Sequence, residues 1–184
     1  MAKTARKMAG MVMATVIVTV STAAAATITA SAESPSSHVR SDSVAIVALI
    51  ERANDGSATF RRLVDSVNAS NGIVYVQEGD CLDGAHACFI AVTMAGSSRA
   101  LWVRVSMKMH DADWDAMGSI AHELRHTLEV LAVPSVTSTP SMQMFYRQVG
   151  FHGSARGYET QAAVDAGNTV RNEVRGATRP SKAE

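Results

Sequence analysis

"IAHELRHTLE", residues 120–129, carries two histidines four apart, with a glutamate directly after the first. It sits in a longer run where Met117, Ala121, Leu124, Leu128 and Leu131 follow steps of four, three, four and three. That spacing puts all five on one apolar stripe of a helix. At about 100° per residue, His122, His126 and Glu129 fall on the opposite face. The stripe is expected to pack on a sheet, and the histidines to look toward whatever else covers the helix. Imidazoles at i and i+4 stack one turn apart, close enough for both to reach one ion. Glu123 projects beside the pair.

The sheet is expected upstream. "GIVYVQE" (residues 72–78), "ACFIAVTMAG" (87–96) and "ALWVRVSMKM" (100–109) are β-branched and aromatic, and Gly-containing turns separate them. In the third, Leu101, Val103, Val105, Met107 and Met109 alternate with polar or larger partners, as in a strand with one face on a core. The three are read as a small antiparallel sheet, with the cysteine loop joining the first two. Before them, Asp42 or Ser43 for the first and Ser57 for the second precede two helical patterns as N-caps. The first carries Val44, Val47, Ala48 and Ile50; the second has Phe60, Leu63, Val64 and Val67 inward. After the histidine helix come a loop around Pro134, a short helix over "SMQMFYRQV", and the Gly-rich "GFHGSARG". The final long helix covers "YETQAAVDAGNTVRNEVR", residues 158–175.

The chain has 184 residues, which suits a single domain. Lys3, Arg6 and Lys7 open a segment that turns apolar and closes on Ala30-Ser31-Ala32, the anatomy of a secretory signal peptide over residues 1–32. The apolar run falls short of the roughly 20 residues a bilayer span requires. Removing it leaves 14 basic against 17 acidic residues, a formal charge of −3, which argues against a nucleic-acid partner. The expected product is exported, to periplasm or medium, free of the membrane after cleavage, and a monomer. Residues 33–43 read as a flexible start, 44–176 as the domain, and 177–184 as a disordered tail. Cys81 and Cys88 are the only cysteines, and an exported chain permits them to pair. His86 between them reads as a loop residue rather than a ligand.

"HELRH", residues 122–126, resembles the H-E-x-x-H helix of the zincin metallopeptidases. The resemblance covers about residues 100–175 and implies a zincin-like α+β core that hydrolyses peptide bonds. It implies Zn2+ held by His122 and His126, with Glu123 as general base, and a peptide or protein substrate. It also makes "ALWVRVSMKM" similar to the edge strand that binds extended substrate in that family. A tetrahedral catalytic site needs a third protein ligand and one open position. The continuation "TLEVLAV" has neither the glycine nor the third histidine of the metzincin branch. Glu129 lies seven residues from His122, about 10 Å along a straight helix, too far to converge easily on the same ion. It reads equally as a hydrogen-bond partner behind the ligands or as a surface charge.

Glu159 fits best as the third ligand, because "ETQA" resembles the E-x-x-A element of gluzincins. Glu159, Ala163, Ala166, Val170 and Val174 share one helical face, and the small Ala162, Ala163, Ala166 and Gly167 would admit close approach to the histidine helix. Ala163 stands where an aspartate often follows in that family, so Asp165, Asp115 and Glu129 are the candidate buttresses for a histidine ligand. Tyr158 and His152 are candidate transition-state donors, with Tyr146 in the same segment. Two alternatives stay open: an inactive zincin-like protein, and a non-enzymatic secreted binding module whose histidines are fortuitous.

Overall fold

Serine caps start the first two helices of the computed structural model, which describes residues 37–152 and 158–177. The signal-peptide reading and the tail after Ala177 lie outside these residues. The Ser43 hydroxyl accepts from Ile46 N and begins α1 (Val44–Gly56); the Ser57 hydroxyl accepts from Phe60 N and begins α2 (Ala58–Asn68). The inward face of α1 is Ile46, Leu49 and Ala53, whereas Val44 is 85% exposed. "VAIVALI" is apolar on every side, so its periodicity alone did not fix which face turns in. In α2 the expected Phe60, Leu63 and Val67 are buried.

Glu173, from the last helix, ties the start of α2 to the rest. Its carboxylate accepts from the Ser57 hydroxyl, from Thr59 N at 3.0 Å and from the Thr59 hydroxyl at 2.9 Å. Burial pushes the Glu173 pKa up, but the Ser57 and Thr59 hydrogen bonds outweigh it and hold it below the ordinary glutamate value. A depressed folded pKa stabilises fully above the unfolded value of about 4.3 and stops doing so as pH falls through the folded one. Glu173→Gln is therefore expected to cost about 1 kcal/mol at neutral pH. Its stability deficit against the parent should close in acid, as urea melts at pH 7 and pH 3 would show.

The sheet is mixed, with order β1-β2-β4-β3. β1 (Val39–Arg40) and β2 (Gly72–Glu78) are parallel, β2 and β4 (Ser98–Val105) are parallel, and β3 (Ala87–Ala95) runs antiparallel to β4. This corrects the expected all-antiparallel arrangement of three strands. The cysteine loop does join β2 to β3, but it crosses the end of β4, which slots between them. β4 is thus an inner strand and β3 the edge. β4 also stops at Val105; Met107–Met109 form a 3-10 turn rather than continuing the alternation. The segment expected to be a flexible start supplies β1, held by Val74 N to His38 O at 2.7 Å and His38 N to Asn68 Oδ1 at 2.8 Å. Cys81 and Cys88 form a disulfide.

α3 (Asp113–Leu131) is the hub, touching all three long strands as well as α1 and α2. Its expected stripe is inward: Ala121 and Leu124 are fully buried, with Met117, Leu131 and the partly buried Leu128 packed around them. α4 (Thr139–Val149) follows, then a two-strand ribbon of β5 (Phe151–His152) and β6 (Tyr158–Glu159), then α5 (Gln161–Ala177). α5 lies against the other face of α3. A Cβ on Gly118 would sit 2.9 Å from the Gly167 carbonyl oxygen, and one on Gly167 would sit 3.0 Å from that of Gly118. The two helices cross there backbone to backbone, which only paired glycines permit. Gly167 had been expected to allow this; its partner Gly118 had not been singled out.

Candidate metal centre

His126 is 4% exposed and its orientation is fixed from three sides. Its Nδ1 lies 3.1 Å from Glu129 Oε2, the Tyr146 ring meets it edge-on at 5.2 Å, and the Tyr146 hydroxyl donates to its backbone carbonyl at 2.8 Å. A carboxylate only accepts, so Nδ1 carries the hydrogen and Nε2 keeps its lone pair. Glu129 is held in turn by the Thr160 hydroxyl at 2.7 Å and by Arg125 at 3.6 Å. Burial raises the Glu129 pKa, but His126 and Thr160 more than offset this, and the carboxylate stays ionised to lower pH than usual. Of its two readings, the hydrogen-bond partner behind a histidine is the one the fold realises.

His122 lies one turn back, its ring 4.8 Å from that of His126 and nearly perpendicular to it. Its Nε2 is 3.0 Å from Glu159 Oε2. Burial lowers the His122 pKa, but the Glu159 hydrogen bond and the charges of Glu123 and Glu159 outweigh it, so the net shift is upward. Glu159 shifts the opposite way: burial raises it, and His122 with His126 pulls it below the ordinary value. The site thus favours positive charge at the point where the three side chains meet.

Glu159 arrives there by a different route from the one expected. It is not in the first helical turn but in β6, paired with Phe151. α5 begins only after Thr160, whose hydroxyl accepts from Ala163 N at 3.2 Å. Threonine at that position is the cap signal that "YETQA" carries. Thr160 therefore has two roles, starting the helix behind Glu159 and pinning Glu129.

Glu123 is 5% exposed beside both histidines. Burial drives its pKa up against the opposing charges of His126 and His122, and the Phe89 backbone N–H hydrogen-bonds its carboxylate. Phe89 belongs to β3, where the register slips between Phe89 and Ala91. Such bulges re-aim backbone groups beside functional sites. The strand next to Glu123 is therefore β3, and β4, expected to be the edge strand beside this helix, is an inner one.

The remaining candidates separate clearly. The Tyr146 hydroxyl is engaged with the His126 carbonyl, and burial, then Glu129 and Glu123, push its pKa up. Tyr158 is half-buried in β6 next to Glu159, and the backbone of His152 pairs with it; the His152 side chain lies outside the described residues. Asp165 accepts from Gln161 at 2.8 Å on the exposed side of α5 and, among the described residues, buttresses no histidine. Asp115 contacts His110 and Arg171 instead. Among the described residues, two groups could hold a metal ion: His122 with His126 and Glu159, and His86 with His110 and Asp115. No family model, curated protein or solved structure matches the chain.

Proposed function

We propose that the protein is a zinc-dependent hydrolase of peptide bonds. The observation that carries this reading is the convergence of His122, His126 and Glu159, whose donor atoms all lie within 4.8 Å of one another, with the buried Glu123 carboxylate alongside. Two nitrogens and one carboxylate oxygen form a donor set suited to zinc, and two atoms bound to one tetrahedral ion at about 2.0–2.1 Å stand about 3.3 Å apart. The 3.0 Å between His122 Nε2 and Glu159 Oε2 is close to that spacing. Glu129 adds the carboxylate–histidine pairing that fixes a ligand's tautomer.

Bound zinc would lower the pKa of a water to about 7 and polarise a scissile carbonyl. Glu123 takes the proton of the attacking water and returns it to the leaving amine. The Phe89 N–H fixes the Glu123 carboxylate from the β3 side. β3, as the edge strand beside Glu123, is the strand along which an extended peptide would lie. Tyr158 and His152 are the candidate donors to the developing oxyanion.

The test is metal affinity in two variants, read by competition with a chromophoric chelator. Glu129→Ala removes the partner of one ligand and should weaken zinc about 10–100-fold. Glu159→Ala removes a ligand and should weaken it by more, with peptide hydrolysis lost in parallel. The reverse order of affinities would overturn the assignment of Glu159, and hydrolysis that survives complete chelation would overturn the reading itself.

A further inference from the structure

The second histidine–carboxylate group lies away from Glu123 and has its own architecture. Asp115 sits in the first turn of α3, seven residues before His122 and so about 10 Å along the helix. His110 lies just before α3, its side chain 1% exposed, with Nδ1 2.9 Å from Asp115 Oδ2. His86 comes from the loop between β2 and β3, with its Nδ1 3.5 Å from the same oxygen. The two imidazoles meet edge-on at 4.8 Å.

The hydrogen bonds behind these atoms decide what they offer. His110 Nε2 lies 3.3 Å from the His86 carbonyl oxygen, which can only accept, so Nε2 carries the hydrogen. The Nδ1 lone pair then faces a carboxylate oxygen 2.9 Å away. Two acceptors at that distance require a positive centre, a proton or a metal ion. Arg171 Nε donates to the other Asp115 oxygen at 2.7 Å while its Nη2 donates to the Ser119 hydroxyl at 3.0 Å. Arg171 thereby fixes the carboxylate plane and leaves Oδ2 toward the imidazoles. A carbonyl behind one histidine and a guanidinium behind the carboxylate are the outer contacts by which metal ligands are oriented.

We propose that His86, His110 and Asp115 form a second zinc-class site. It binds through the Nδ1 atoms of both histidines and one Asp115 oxygen, with the fourth position left to solvent on the exposed His86 side. It joins three segments: the β2–β3 loop, the turn before α3, and α3 itself. The Cys81–Cys88 disulfide closes the same loop, so the disulfide and the ion tether it at two points.

The experiment is zinc stoichiometry on the purified protein, with Co2+ absorption as a second probe. Two tight equivalents are expected in the parent and one in His86→Ala, a half-exposed position whose loss the fold tolerates. Asp115→Asn, which keeps the side-chain shape, should also bind one. His122→Ala should bind one, and that equivalent should vanish in the double variant with His86→Ala. A single parental equivalent that persists in His86→Ala and disappears in His122→Ala overturns the second site and leaves the proposed catalytic one intact. A single equivalent with the opposite pattern supports the second site and overturns the catalytic one.

Discussion

Glu123→Gln is expected to keep its zinc and lose peptide hydrolysis by a factor of about 10^2–10^4, the usual contribution of a positioned general base. The variant changes little else. Glutamine has the same shape, and its amide oxygen can still accept from the Phe89 N–H that the carboxylate now engages. What disappears is the capacity to take and return a proton. The fold should not suffer, because a carboxylate that is only 5% exposed is costly to keep ionised and its neutral replacement is not. The thermal midpoint should therefore stay level or rise while kcat collapses. Full activity in the variant would refute Glu123 as the base. Loss of bound zinc together with activity would mean that Glu123 helps to hold the ion.

The largest effect on stability is expected at Arg99. It is 4% exposed, and its guanidinium donates to the backbone carbonyls of Val130, Leu131, Val133 and Val136 and to Asn71 Oδ1, at 2.7–3.3 Å. These carbonyls end α3 and the turn beyond it, where the helix dipole is negative. Those of Val130 and Val133 also accept from Val133 N and Val136 N, whereas Leu131 and Val136 rely on Arg99. Arg99→Met fills the space and leaves the Leu131 and Val136 carbonyls without their donor. A loss of about 2–4 kcal/mol is expected, or on the order of 10 °C in thermal midpoint. Arg99→Lys should recover only part of it, since a single ammonium cannot reach acceptors spread around a planar fork. A urea melt of the Met variant that matches the parent would show that water satisfies those carbonyls, and the anchoring role would fall.

Arg99 also shows why part of the fold was hidden. In "SSRALWVRV" it reads as one more polar residue ahead of a strand, and nothing local distinguishes a buried, five-fold bonded guanidinium from a solvated one. Strand existence was legible, because β-branched runs bounded by glycine are local signals; strand order was not. That β4 enters between β2 and β3 depends on where the cysteine loop crosses, which no periodicity records. The histidine pair was legible because i and i+4 on one helix is a local geometry. Glu159 was found by its place on the small-residue face and by the resemblance of "ETQA" to the gluzincin element, and misplaced in its element, because Thr160 as a cap was overlooked. The His86, His110 and Asp115 cluster escaped because its three members meet only through tertiary structure.

The way the sheet ends bears on how the protein behaves in a crowd of its own copies. β1 has only two residues. β3 is bulged at Phe89–Ala91, and at Val92 both backbone groups bond the Thr139 hydroxyl, which divides that side into residues 87–91 and 93–95. Templated stacking requires a long, flat row of free amides and carbonyls, and these two borders are too short and too interrupted to supply one. On the proposed reading the longer piece would receive a few residues of extended peptide, whereas fibril growth finds no platform there.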